Sequence, residues 1–268
     1  MINDLLTKEE YKDYCDRLSR VWLYLRVVSH LDDAVIHKVC DLRGYDIKGK
    51  MPDMLYSIGF VFVDKDKLNL DVLKKLDKGD LGLFTKEDNF LLQGRFIFPV
   101  KDMIGNVIAL IGWYPDEKKY ITTPSRFFKK QNILFGMEQL KATGLGKKYF
   151  LVEGIFDCIS IRSLGFNCMA MMGISANAYT QVLYSLFSKL VAIPDNDTEG
   201  RKVIVRDGWK LPSNGSYVKL SGKFKDIDDM LKYYDMSDTL TDILTESGVD
   251  RVIAVSYTHL RAHETLAN

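Results

Sequence analysis

The chain has 268 residues, 47% hydrophobic and 27% charged, with 6 Pro and 19 Gly, a composition that excludes a disordered, collagen-like or low-complexity protein. Lys and Arg number 37 against 36 Asp and Glu, a formal net charge of +1, so a protein that coats nucleic acid by bulk charge is excluded and any polyanion site must be local. No apolar run approaches the ~18 residues of a membrane span and the first residues lack a signal peptide's apolar stretch, so no membrane partner is expected and the expected location is the cytoplasm.

Along the chain, Leu5, Leu6, Tyr11, Tyr14, Leu18, Val21, Trp22 and Leu25 recur at steps of three and four, the helical period. A second helix is expected from Asp32, whose carboxylate with that of Asp33 suits a helix start. From Gly44 to Leu92 the pattern is broken by Pro52, Gly59, Gly79 and Gly82, and Ser57 to Val63 reads as strand. Phe96 to Val100 and Val107 to Trp113 read as a hairpin whose Gly105-Asn106 turn supplies positive φ. From Lys148 onward short apolar strands alternate with helices. The strands are Tyr149 to Val152, Cys168 to Met171, Leu190 to Ile193 and Tyr217 to Leu220; the helices are Ile155 to Leu164, Asn177 to Phe187, Glu199 to Trp209 and Ile227 to Tyr234. That alternation predicts a four-stranded parallel sheet flanked by helices, with ligands at the carboxyl ends of the strands.

Acidic groups fall at those ends. Glu153 and Asp157 follow the first strand, Asp195 and Asp197 the third, and Asp226, Asp228 and Asp229 the fourth. Carboxylates gathered at one sheet edge repel one another unless cations stand between them, and hard divalent ions with oxygen ligands, waters and substrate phosphates answer that need. Basic residues concentrate instead between Lys118 and Lys148, where Lys119, Arg126, Lys129 and Lys130 are included and Glu138 is the one acid. Solvated helix faces alone would give the same segregation. The cysteines, Cys15, Cys40, Cys158 and Cys168, form no C-x-x-C pair, so free thiols are expected and neither a disulfide framework nor a zinc site is indicated.

Glu153-Gly154-x-x-Asp157 followed by Asp195-x-Asp197, two strand–helix units apart, resembles the TOPRIM domain of DnaG-type primases, topoisomerases and some nucleases. Upstream, Gly94-Arg95-Phe96-Ile97-Phe98-Pro99-Val100, Lys119 to Pro124, Phe128-Lys129-Lys130 and Leu134-Phe135-Gly136 resemble, in order and spacing, the core of DnaG-type DNA primases, phage versions included. Tyr24-Leu25-Arg26 and Leu31 to Ile36 resemble that family's N-terminal lobe. The chain departs from the family at Thr122-Thr123, where Asn-Ser is usual, at Gly112-Trp113, where Gly-Arg is usual, and at Asn196, where Gly is usual between the two aspartates.

The resemblance implies a mixed α+β N-terminal lobe over residues 1–147 and a TOPRIM domain over 148–246. It implies template-directed synthesis of RNA primers on single-stranded DNA from ribonucleoside triphosphates with Mg²⁺ or Mn²⁺, in a bacterial cytoplasm, with a replicative helicase and a separate zinc-binding domain as partners. Glu153, Asp195 and Asp197 would be the principal metal ligands or metal-organising groups, and Asp157, Asp226 and Asp228 would complete the site directly or through water. Lys119 and Lys130 would meet the triphosphate, and Arg95 a phosphate of template or nucleotide. A TOPRIM nuclease would keep the carboxylates without needing the basic segment, and a recombination-mediator-like clamp would use the domain for assembly. Ser256 to Thr265 resembles translated sequencing-adapter read-through, so residues 255–268 are expected to be a non-native tail.

Overall fold

The computed structural model describes residues 7–29, 33–46, 48–115, 119–123, 133–172, 178–198, 200, 202, 209–220, 224–232 and 252–255. Its contacts divide the chain into two units, Met1–Arg43 with Pro52–Lys129, and Gly44–Met51 with Lys130–Asn268. The second unit therefore begins before the 147/148 division read from the sequence and takes in a short piece of the N-terminal chain.

In the first unit, α1 (Lys8–Val28) opens with a capping box between Thr7 and Glu10 and buries Tyr14, Cys15, Leu18, Val21, Trp22 and Leu25, the stripe its period predicts. Arg17 is buried on the same helix, where it meets both carboxylate oxygens of Asp80 at 2.5 and 2.7 Å. Then come α2 (Asp33–Arg43) and α3 (Met51–Ile58), followed by β1 (Val61–Phe62) and α4 (Leu70–Asp77). The strand expected over Ser57 to Val63 is thus corrected. Ser57 and Ile58 are helical, the strand proper is Val61 and Phe62, and Val63 adds backbone hydrogen bonds to Gly94 and Arg95. Pro52 sits in the first turn of α3, where its missing N–H costs nothing, and Gly59, at φ 84°, ends it by donating to Leu55 O. What looked like breaks are the two ends of a helix.

The strands β2 (Phe96–Lys101), β3 (Val107–Tyr114) and β4 (Lys119–Thr122) complete a four-stranded antiparallel sheet in the order β1-β2-β3-β4. The expected hairpin joins β2 to β3. Gly105 takes φ 95°, and Asp102 accepts from the N–H groups of Ile104 and Asn106. Phe60, Phe96, Phe98 and Trp113 stack together on this sheet, and Tyr14 donates to Ile108 O, which fixes α1 against β3.

In the second unit a short α5 (Leu140–Thr143) leads into β5 (Lys148–Val152), α6 (Ile155–Ser163), β6 (Cys168–Ala170), α7 (Ala178–Ser185), β7 (Lys189–Ile193), β8 (Ser216–Leu220), α8 (Ile227–Leu231) and β9 (Val252–Val255). The four expected strands form a parallel sheet in the order β6-β5-β7-β8, and β9 adds a fifth beside β8, with Val255 opposite Leu220. That strand lies beyond the expected end of the domain at 246, and its last residue is the first of the expected tail; residues 256–268 lie outside the described residues. Most of the helix expected over Glu199 to Trp209 also lies outside them. Because β5 and β7 are neighbours with Val152 opposite Ile193, the loops carrying Glu153 and Asp195 leave the sheet side by side.

Candidate active site

Continuous apolar runs fix β5 and β7 in the core, where Phe150, Leu151, Val191 and Ala192 are fully buried, so the first polar residues after them mark the sheet's carboxyl edge. There the N–H of Asp195 donates to Glu153 Oε1 at 3.3 Å. Gly154 begins the turn into α6, and a side chain at 154 would meet the carboxylate of Asp157; its absence lets Asp157, 7% exposed, fold back over the start of the helix in its first turn. Asn196 ties the loop after β7 to the loop after β8, its N–H donating to Lys225 O at 2.6 Å and its amide to Phe224 O at 3.1 Å. Asp197 is exposed and accepts from Gly200 N at 2.8 Å. Asp226 caps α8 through the N–H of Asp229.

The charges at this edge are unbalanced. Burial, with repulsion from Asp195 and Asp197, pushes the Glu153 carboxyl up from 4.5 to about 7. Burial and then Asp226 push Asp195 up from 3.8 to about 6, and burial with Asp226, Asp195 and Asp228 holds Asp157 well above the usual carboxylate range. Lys225 supplies the opposing charge seen here, its Nζ 3.6 Å from Asp195 Oδ2 and 3.6 Å from Asp226 Oδ2. Its own burial, which favours the neutral amine, is outweighed by Asp195 and Asp226, and its pKa rises. Sequence reading passed over Lys225 and noted Asn196 only as a departure between the two aspartates. The one visible signal was their position in loops that both leave the same sheet edge.

An all-oxygen donor set short of positive charge fits a hard divalent cation. Among the described residues no three acidic, histidine or cysteine side chains form a ready-made cage for one ion.

The raised carboxyls give a pH prediction with a definite sign. Between about pH 4.5 and 7 the native state holds protons at Glu153 and Asp195 that the unfolded chain releases, so without metal stability falls as pH rises through this window and levels off above it. In chelator the melting temperature should be higher near pH ~5.5 than near ~7.5, and Glu153→Gln should show a smaller difference than wild type. Equal pH dependence in the two proteins would show that Glu153 does not titrate in this window.

In the first unit, Arg95 precedes β2 and lies across Gly112 of β3. A Cβ at 112 would stand 2.8 Å from Arg95 Cδ and 2.9 Å from Leu92 Cδ2. The guanidinium sits 5.5 Å from the Tyr114 ring centre, and its buried Nη1 has no hydrogen-bond partner among the described residues. Lys119 pairs with Tyr114 in register, so its backbone stands beside the same tyrosine; its side chain and the whole of Lys130 lie outside the described residues. Trp113, where the family usually has Arg, is 3% exposed among the aromatic rings with the Arg43 guanidinium 5.9 Å over its face. Thr123 is fully buried and pairs with Leu110 through backbone and hydroxyl, a structural duty.

Two family models match the chain in succession. Residues 51–141 match the N-terminal domain of the DNA primase catalytic core, and residues 150–231 match a Toprim-like domain. The chain belongs to the DnaG-type primase family. Among DNA primases similar to it, that of Clostridium acetobutylicum is 34% identical over 154 residues, 54% of this chain and 26% of that protein. The Chlamydia muridarum primase is 33% identical over 134 residues, 47% of this chain and 22% of that protein. The chain thus spans about a quarter of the length of the curated relatives it matches. Its fold is that of the solved primase cores. The Aquifex aeolicus primase zinc-binding and RNA polymerase domains match at a TM-score of 0.68 and 24% identity, over 92% of this chain and 64% of that one. A DnaG catalytic domain bound to single-stranded DNA matches at 0.70 and 18%, over 90% and 80%. The second unit is accordingly the TOPRIM part of a primase-family chain, and no helix among the described residues is long and apolar enough to cross a membrane.

Proposed function

We propose that the chain is the catalytic core of a DNA primase that joins ribonucleotides into short RNA primers on a single-stranded DNA template. The observation that carries this reading is the set of buried and half-buried carboxylates Glu153, Asp195 and Asp157 on a Toprim-like sheet, with Asp195 repelling each of the other two, preceded in the same chain by a primase N-terminal domain. Glu153, Asp195 and Asp197 hold or organise Mg²⁺ or Mn²⁺, with Asp157, Asp226 and Asp228 completing the set directly, through water or by support. Such ions, when bound, offset the charge that develops on the attacking 3′-oxygen, the α-phosphoryl group and the departing pyrophosphate. The side chains do the rest. Glu153, poised at about 7, is suited to hold or release a proton at its carboxyl near neutral pH. Lys119 and Lys130 meet the triphosphate as point charges. Arg95 presents a guanidinium with a buried Nη1 awaiting an acceptor, suited to a phosphate oxygen.

Ribonucleoside triphosphates and single-stranded DNA are the proposed partners. A solved DnaG relative has single-stranded DNA bound, and the Mycobacterium tuberculosis RNA polymerase domain has been solved with double-stranded DNA. A replicative helicase and a zinc-binding domain are proposed as further partners; the A. aeolicus relative has zinc-binding and RNA polymerase domains. Incubation of the chain with single-stranded DNA, the four ribonucleotides and Mg²⁺ or Mn²⁺ should yield new short RNA. Shortening of the template without RNA synthesis would overturn this reading in favour of a TOPRIM nuclease. Arg95→Ala should lower kcat/KM by roughly 10- to 100-fold, the worth of a charge-assisted phosphate contact of about 1.5–3 kcal/mol, without unfolding the protein. Unchanged kinetics would leave Arg95 as a strand-flanking residue stacked on Tyr114.

A further inference from the structure

Asp228 is the most deeply buried carboxylate of the TOPRIM edge, 2% exposed, and both of its oxygens are engaged. Oδ1 accepts from the Tyr45 hydroxyl and from Ser160 Oγ at 2.9 Å; Oδ2 lies 2.9 Å from Lys232 Nζ. Its backbone N–H donates to Asp157 Oδ1 at 3.0 Å. Tyr45 is itself 7% exposed, with its ring beside that of Phe156 in the first turn of α6 at 6.4 Å and Lys232 Nζ 6.0 Å from its centre. It belongs to the short segment Gly44–Met51, which packs with the second unit although the chain on either side of it belongs to the first. A path of hydrogen bonds therefore runs from a phenol in the N-terminal part of the chain, through a buried aspartate on α8, to the aspartate one turn from Glu153.

We propose that Tyr45 is a positioning residue of the TOPRIM site: its hydroxyl fixes Asp228, and the backbone N–H of Asp228 in turn holds the Asp157 carboxylate at the metal-binding edge. Asp228 then serves as a support and not as a ligand, because a carboxylate with three donors on its two oxygens has little left to offer a cation. The inference rests on the proposed metal-dependent reading of this site and assigns it a residue more than a hundred positions upstream of it, with a role that composition and motif do not suggest. Groups that orient a metal ligand from behind commonly matter about as much as 10- to 100-fold in metal affinity or activity.

The test is a Mn²⁺ titration of the full chain, followed by electron paramagnetic resonance, on wild type and Tyr45→Phe, paired with primer synthesis at low and saturating metal. Tyr45→Phe keeps the ring beside Phe156 and removes only the hydroxyl. The expected result is a Mn²⁺ affinity weaker by roughly 10-fold, a primer yield reduced at low metal and restored by excess Mn²⁺, and a melting temperature in chelator lowered by no more than the few degrees that one lost hydrogen bond costs. Wild-type affinity in Tyr45→Phe would overturn the proposal. Tighter binding would overturn it too, since it would mean that Asp228 is a ligand released from its hydroxyl donor. Should Tyr45→Phe fail to fold, Ser160→Ala removes a different donor to the same oxygen and carries the same expectation. If wild type binds Mn²⁺ and Tyr45→Phe binds it weakly, yet neither makes primers, the positioning role stands and the primase reading falls. If wild type binds no Mn²⁺, both fall.

Discussion

Asp195→Asn should reduce primer synthesis by more than ~100-fold, beyond the cost of losing a group that merely supports a ligand, while single-stranded DNA binding through the basic segment is kept. Asn preserves the shape and the loop, including the N–H that Asp195 donates to Glu153, and removes only a charge facing Asp226 and Asp197. The same change relieves repulsion, so the metal-free variant should melt no lower than wild type and by the sign of the raised pKa somewhat higher. Lys225 limits that gain, because its ammonium already offsets part of the repulsion at 3.6 Å. With Mg²⁺ the order should reverse, since only wild type keeps the full binding energy that stabilises the native state. Melting curves with and without Mg²⁺ on both proteins, read beside a primer assay, check all three statements. A variant that still makes primers at near wild-type rate would remove Asp195 from the chemistry.

Gly200→Ala is expected to do more damage than any other single added methyl group at this edge. A Cβ at 200 would overlap the carbonyl oxygen of Asp195 and stand 2.8 Å from its carbon and 3.1 Å from its nitrogen. Backbone cannot swing aside as a side-chain tip can, so the Asp195 to Gly200 loop must open, and the hydrogen bond from Gly200 N to Asp197 goes with it. The cost should be about 3 kcal/mol, the upper end for overpacking, or ~6–10 °C in melting temperature for a protein of this size, together with loss of metal-dependent stabilisation. Gly146→Ala is the control, for nothing lies within 4 Å of its added Cβ, and it should melt like wild type. Similar melting of all three proteins would show that the loop yields easily.

How far the sequence announced these features depended on how local they are. The helix α1 and the hairpin of β2 and β3 were legible because their signals, a 3.6-residue stripe and two apolar runs about a Gly-Asn turn, lie within a few residues. The parallel strands were legible for the same reason, and with them the acidic residues that follow the first, third and fourth of them. The helix α3 was missed because Pro52 and Gly59 are breakers only in a helix interior, and here they stand at its ends. The strand β9 was missed although it is as apolar and as long as the others, because it falls between the expected end of the domain at 246 and the expected tail from 255. Asn196, Lys225 and Tyr45 act through partners in other loops; nothing in their own neighbourhoods distinguishes Lys225 or Tyr45, and Asn196 stood out as a departure between two aspartates without its partners being visible. Arg95 was found through its motif, whereas the reason Gly112 follows on the next strand, a floor for the arginine's methylenes, required coordinates.

The hydrogen bond between Tyr45 and Asp228 joins residues 183 apart in the chain, which gives the second unit a history as well as a shape. Closing so long a loop carries a larger entropy cost than any local pairing in the same sheet, and contacts of this range form late. On a ribosome adding about 5–20 residues per second, the Gly44–Met51 segment emerges many seconds before the strand and helix that will receive it, and spends that interval with its tyrosine unclaimed. The parallel sheet, built from later and mutually closer pieces, has no such wait. The hydrogen-bonded support of the carboxylate edge therefore joins pieces of chain made far apart in time. A fragment cut between residues 147 and 148 would keep the sheet and every acidic residue on it but would lack the tyrosine that donates to Asp228.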